Sequence, residues 1–338
     1  MWRVWFIASR PHTLTASLSP CLVGYAVGNS LIPSLSSMSS LSSTEIPSTF
    51  NIFVQWFSFC ICIQLATNLH NDYADFVRGA DTDQRVGQAR ATQKGWLTPQ
   101  QTAGASTACL VAALAIGINL LPSPDDVFSW CVVLTSAFNA VAYTGGPYPL
   151  GYVGLENVSI AYWGLGDLFC LLYFGLVATI MIPYFIIRYS GNTAPLWDLT
   201  IIEGAPLQTP LYYATSVGFW AIAIIVVNNL RDERTDVLAN KRTLAVRFGG
   251  NFCRAEYLIL VIAAYGMTIY DGIICIASST SITSSMLSFL PLLTIPLAIP
   301  CVRAMQTLEG GDLNPFVGGT ARVQLFYCIL LSIGIMYR

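Results

Sequence analysis

Charge is scarce in this chain. Lysine and arginine number 16, and aspartate and glutamate 18, among 338 residues, so 10% are charged against 54% hydrophobic. That balance excludes an ordinary soluble globular domain, where about a quarter of the residues are charged. Histidine is nearly absent, at His12 and His70 only, and His70 is expected on a loop or at the surface. The ten cysteines include no C-x-x-C pair, which argues against a zinc site, and nothing marks a disulfide framework. Gly164-Leu165-Gly166 lacks the third glycine and the strand context of a dinucleotide fingerprint. The opening, where Trp2, Arg3 and Trp5 lead into Arg10-Pro11, has no short apolar core with a small-residue cleavage site, so no cleavable signal or transit peptide is expected. No nucleic-acid partner is expected either.

Long apolar runs fill the rest. Nine fall near 13–32, 52–69, 102–121, 127–144, 163–187, 210–229, 256–277, 286–305 and 319–337, each long enough to cross a bilayer. The expected fold is all-α: a multi-pass transmembrane bundle, one domain over 1–338, embedded in lipid. If the N-terminus lies on one side, so do the segments after spans two, four, six and eight. These places hold 13 of the 16 basic residues, and the positive-inside rule puts that face in the cytosol, or in an equivalent compartment such as plastid stroma. Residues 34–49 read as a serine-rich loop on the far side. The segments 70–100 and 230–255 read as charged loops on the cytosolic side. Each repeats one order: apolar span, Asn, Asp, a spaced Asp, then Arg or Lys. An internal repeat follows, with two four-helix halves and one added helix around a central cavity. Gly145-Gly146-Pro147 and Pro149 break the chain after span four, and Thr98-Pro99 starts span three.

The repeated segments concentrate acids and amides where the chain is otherwise greasy. On a helix, with about 100° per residue, Asn68, Asn71, Asp72 and Asp75 share one face at i, i+3, i+4, i+7 spacing. Asn228, Asp232 and Asp236 climb another in i, i+4 steps, and Asp81 and Asn229 extend the two clusters. Carboxylates at a membrane edge need a strong partner. Facing sets of oxygen donors suit one or two Mg²⁺ ions, which take one or two carboxylates and complete their shells with water and phosphate oxygens. Arg85, Arg90 and Lys94 follow the first cluster, and Lys241 and Arg242 the second. Those cations suit a diphosphate. The apolar bundle above suits an isoprenoid tail, with Tyr143, Tyr148 or Trp163 available to shield an allylic cation through a ring face. No catalytic base is assigned.

These residues carry a resemblance. NLHNDYADFVRGADTDQRVGQARATQKGWLT, from Asn68 to Thr98, is similar to the first aspartate-rich motif of the UbiA superfamily of membrane prenyltransferases. NNLRDERTDVLANKRTLAVRFG, from Asn228 to Gly249, resembles the second. Arg85, Gly87, Arg90, Gln93 and Gly95 fit the R-x-G-x-x-R-x-x-Q-x-G run of the branch that acts on 1,4-dihydroxy-2-naphthoate in menaquinone and phylloquinone synthesis. The stretches Ala8–Gly28, Tyr143–Tyr152, Gly164–Phe169 and Leu313–Leu325 extend the likeness over nearly the whole chain. The resemblance implies Mg²⁺-dependent transfer of an isoprenyl group from polyprenyl or phytyl diphosphate to dihydroxynaphthoate, with loss of carbon dioxide. It implies that Asp72, Asp75, Asp232 and Asp236 bind the metal, with Asn68, Asn71, Asp81 and Asn228 in support. Arg85, Arg90, Lys94, Lys241 and Arg242 then clamp the diphosphate, and Arg10 is a loose candidate for the acceptor.

The chain departs from the family pattern at three places. Asn240 replaces a glycine, Gln88 a frequent proline, and an extra segment lies near Glu156–Trp163. Two other functions fit the same features. One is a prenyltransferase with another acceptor, such as 4-hydroxybenzoate or homogentisate. The other is a cation-coupled secondary transporter, which would hold its acids at mid-membrane rather than at the rim.

Overall fold

All nine apolar runs fold as helices. In the computed structural model, which describes residues 2–38, 47–80, 86–191, 208–278 and 285–337, a short α1 (Trp2–Ser9) precedes α2 (Pro11–Met38), α3 (Thr49–Val77), α4 (Pro99–Asn119) and α5 (Val127–Ala142). Then come α6 (Gly166–Tyr189), α7 (Gln208–Leu238), the short α8 (Leu244–Phe248), α9 (Gly250–Ser278), α10 (Leu287–Thr307) and α11 (Asn314–Tyr337). There is no strand among the described residues. Seven of the helices are long and apolar enough to cross a membrane, the last counted from the 3₁₀ turn Gly310–Leu313 that leads into α11. The other two expected spans are α2, at 28 residues, and α5, at 16. Of the segment 34–49, read as a serine-rich loop, residues 34–38 continue α2 instead, Thr49 already opens α3, and 39–46 lie outside the described residues.

Helix ends differ from the expectation in an instructive way. The segments 70–100 and 230–255, read as loops, remain helical to Val77 and Leu238. Their polar residues are therefore the final turns of spanning helices, whose N–H and C=O groups must be satisfied within the helix near lipid. The start of α4 matches its signal: Thr98 caps the helix and accepts from the Gln101 N–H, the Gln101 side chain answers the Thr98 N–H, and Pro99 follows at the first position.

Two large apolar cores form among the described residues. The first gathers Ile52, Trp56, Phe59, Val133, Ile182 and Phe185 from α3, α5 and α6; the second gathers Val217, Trp220, Tyr257, Val261 and Tyr327 from α7, α9 and α11. Helix α2 serves both, with Cys21 in the first and Val23, Ala26 and Val27 in the second.

Within α6, residues Cys170–Val177 wind as a π-helix, packed along α7. Such wide turns recur at functional sites. The two helices touch backbone to backbone: a Cβ on Gly175 would stand 2.6 Å from the Gly218 Cα. Between membrane helices, close packing rather than water exclusion supplies the attraction. Gly175→Ala is therefore expected to cost about 1–3 kcal/mol by overpacking, read as a lower melting temperature in detergent. Gly104→Ala, inside α4 and with a Cβ that meets nothing within 4 Å, should not lower the melting temperature, since alanine favours a helix over glycine.

Candidate active site

The last turns of α3 and α7 face each other across one chamber, and both helices stop in the same manner. In α3 the Gly79 N–H donates to the Phe76 carbonyl at 3.0 Å and the Ala80 N–H to Asp75 at 2.9 Å; in α7 Asn240 donates to Val237 at 3.1 Å and Lys241 to Asp236 at 2.9 Å. This is a Schellman ending, which needs a left-handed residue after the cap. Gly79 has φ 70° and Asn240 φ 56°. Asparagine visits that region more readily than other side chains, so Asn240 makes in α7 the turn that Gly79 makes in α3. The shared ending pairs Asp75 with Asp236 and Asn68 with Asn229. It also puts Asn71, not Asp72, in the place of Asp232.

The chamber encloses about 900 Å³. Asn71, Asp75, Asn228, Asp232 and Asp236 line its mouth, beside Arg10, Arg90, Arg231 and Lys241, while Ala221, Ile224, Ile225, Phe174 and Val317 line its apolar wall. A narrower pocket of about 80 Å³ shares Thr67, Tyr143, Cys170 and Phe174 with it and runs on to Trp56, Ile63 and Val177. Because the acids sit at helix ends, the arrangement departs from the mid-membrane carboxylates of a transporter.

Two of the lining acids, Asp75 and Asp232, have cationic company. Asp75 receives Arg90 at 3.0 Å, Lys241 at 3.1 Å and the Tyr162 hydroxyl at 3.2 Å. Since Lys241 follows α7, this cluster joins the two acid-bearing helices. Asp232 takes a two-pronged contact from its neighbour Arg231, at 2.8 and 2.5 Å. Arg231 is buried, at 7% exposure, and also donates to Asn228 at 2.7 Å and Asn314 at 3.2 Å.

Asp72 behaves differently from the expectation. It is fully buried and absent from the chamber lining. Its carboxylate receives Arg10, Arg90 at 3.5 Å and the Ala91 N–H at 3.3 Å. Helix position explains this: one residue beyond Asn71, it turns about 100° away from the chamber. Asp72 thus acts on the mouth through the two arginines it holds. Arg10 reaches it from the kink between α1 and α2, with φ 50°, while Val4, Trp5 and Ala8 pack α1 against Leu69, Ala91 and Leu97.

The remaining expected residues divide. Asn68 lines the chamber but donates to the Ser9 carbonyl at 3.1 Å and the Thr13 hydroxyl at 3.0 Å. Asn71 accepts from the Thr144 hydroxyl. Tyr143 lines both cavities; Tyr148 lines neither and meets the Thr107 hydroxyl at 3.0 Å instead. Trp163, Lys94 and Arg242 are exposed and outside the lining. Asp81 and Arg85 lie outside the described residues. His70, read as a loop or surface residue, is buried on α3 with a ring nitrogen 2.8 Å from the Gly145 carbonyl. Arg231, Tyr162 and Asn314 were not singled out by the sequence as site residues; only Arg231 carried a signal, its place between Asn228 and Asp232.

Among the described residues no group of three or more His, Cys, Asp or Glu stands close enough to hold an ion alone. The lining oxygens are instead split between two walls, Asn71 and Asp75 on α3, Asp232 and Asp236 on α7. Such donors suit a hard cation that a ligand with its own oxygens completes.

Fold and mouth together define a multi-pass integral membrane protein with an apolar chamber entered past paired acids and bases. The profile of the UbiA prenyltransferase family matches residues 17–312, and the chain belongs to that family: it is a membrane prenyltransferase. It is 26% identical to the 1,4-dihydroxy-2-naphthoate octaprenyltransferase of Haemophilus influenzae, over 99% of this chain and 96% of that one. It is 28% identical to the protein of the same name from Bacillus subtilis, over 99% and 93%. Among solved structures it resembles a UbiA homolog from Archaeoglobus fulgidus bound to DMAPP and Mg²⁺, with TM-score 0.53 and 14% identity, covering 97% of this chain and 99% of that one.

Proposed function

We propose that this enzyme transfers an isoprenyl group from a polyprenyl or phytyl diphosphate to a ring carbon of 1,4-dihydroxy-2-naphthoate, whose carboxylate leaves as carbon dioxide, in menaquinone or phylloquinone biosynthesis. The observation that carries the reading is the Asp75–Lys241 contact, which brings the two acid-ended helices to one mouth. The likeness to dihydroxynaphthoate octaprenyltransferases over nearly the full chain supports the acceptor. The basic rim, by the positive-inside rule, turns the mouth toward the cytosol or plastid stroma.

Asn71, Asp75, Asp232 and Asp236 would hold Mg²⁺, and the donor set fits: hard oxygens, few per wall, with room for phosphate. Bound there, Mg²⁺ supplies positive charge to diphosphate oxygens and eases their departure. Arg10, Arg90 and Lys241 now sit on carboxylates, and an arriving diphosphate competes for them. Asp72 keeps Arg10 and Arg90 aimed at the mouth. The apolar wall and the narrow pocket take the tail and exclude water from an allylic cation, and the Tyr143 ring lies where the tail begins, positioned to stabilise that charge.

The test is product formation by the purified protein with dihydroxynaphthoate or 4-hydroxybenzoate, each offered geranylgeranyl, phytyl and longer diphosphates, with Mg²⁺ or with EDTA. Prenylated, decarboxylated naphthoquinol only with Mg²⁺ is expected. Preference for 4-hydroxybenzoate would replace the acceptor, and product formation in EDTA would remove the metal.

A further inference from the structure

The stretch between α5 and α6 is a bracket over the mouth. It returns onto the end of α5 through Ile160 N–H to Ala142 at 3.0 Å and Ala161 N–H to Tyr143 at 2.9 Å. The first acid-bearing helix grips it through Arg78, whose guanidinium donates to the Thr144 and Glu156 carbonyls at 2.7 and 2.5 Å. The far side grips it through the Arg242 N–H to the Tyr162 carbonyl at 3.0 Å and the Arg247 side chain to the Trp163 carbonyl at 2.6 Å.

Between these grips projects the Tyr162 side chain. Its hydroxyl donates to Asp75 Oδ1 at 3.2 Å, its ring lies 4.9 Å from the Arg78 guanidinium carbon and 5.0 Å from Lys241 Nζ, and Lys241 Nζ is 3.1 Å from Asp75 Oδ2. Tyrosine, carboxylate and ammonium close a triangle drawn from three separate segments. Resting on the function proposed above, we infer that Tyr162 is a positioning residue that keeps Asp75 and Lys241 in register while they exchange each other for metal and diphosphate. The phenol fixes Oδ1 and leaves Oδ2 for the exchange. The ring face keeps the ammonium nearby when it leaves the carboxylate.

The two roles separate by substitution. Tyr162→Phe removes only the hydroxyl and keeps the packing; Tyr162→Leu removes the ring face as well. The full-length protein in detergent is titrated with Mn²⁺, followed by electron paramagnetic resonance, in the presence of unreactive geranylgeranyl thiodiphosphate. A second titration varies the thiodiphosphate at saturating Mg²⁺, followed by thermal shift. Tyr162→Phe is expected to need about tenfold more Mn²⁺, the scale of one hydrogen bond to a charged group, with thiodiphosphate affinity within twofold of wild type. Tyr162→Leu is expected to weaken both. A Tyr162→Phe metal titration that overlays wild type, or equal losses of thiodiphosphate affinity in both variants, overturns the inference. Wild type that shows no diphosphate-dependent Mn²⁺ binding overturns the proposed function first, and this inference with it.

Discussion

Asp75→Asn is expected to lower prenyl transfer by about a thousandfold, the upper range for removing one preorganised electrostatic group, while the protein still folds. The amide keeps the shape of the side chain and still accepts the Tyr162 hydroxyl. It cannot supply the negative charge on which Arg90 and Lys241 converge at 3.0 and 3.1 Å. Two cations then converge on a neutral amide, and one wall loses its only lining carboxylate among the described residues. Asp72→Asn is a sharp contrast. Its carboxylate faces Arg10, Arg90 and a backbone N–H rather than the chamber, so its loss should raise the donor KM and leave the Mg²⁺ requirement in place. Steady-state assays with varied donor and varied Mg²⁺ separate the two. Activity of Asp75→Asn within tenfold of wild type would remove Asp75 from the metal site.

The contrast between these neighbours marks where the sequence stops being legible. Run lengths and i, i+3, i+4 spacing are local properties, and they located nine helices and both acidic faces. Which of two adjacent aspartates turns inward is not local. It depends on the position of the helix within the bundle, and on Arg10 and Arg90 arriving from distant segments to cover Asp72. Helix ends were misread for a related reason: Asn and Asp are weak helix formers in water, yet inside a bundle the ladder continues through them to Val77 and Leu238. Lys94 and Arg242 looked like phosphate ligands by proximity in sequence. In the fold both face solvent, and Arg242 contributes its backbone instead. His70 looked incidental until the Gly145 carbonyl came to meet it.

Arg231 was hidden by its setting, an arginine beside an aspartate on a basic rim, and it carries the second large expected effect. Its guanidinium places two donors on Asp232, one on Asn228 and one on Asn314, and Asn314 donates in turn to the Val86 carbonyl at 2.8 Å. One planar fork therefore ties the second acidic cluster to the last helix and, through it, to the segment that carries Arg90. Lysine keeps the charge but has no fork, so Arg231→Lys should leave Asp232 free to rotate and lower activity by about a hundredfold with little loss of melting temperature. Arg231→Met leaves a carboxylate of 13% side-chain exposure unpaired, at a cost of about 3–5 kcal/mol, and should reduce the melting temperature and the yield of folded protein. If Arg231→Lys turned over within threefold of wild type, the orientation of Asp232 would not depend on the fork, and the second wall would have to be held in place by helix packing alone.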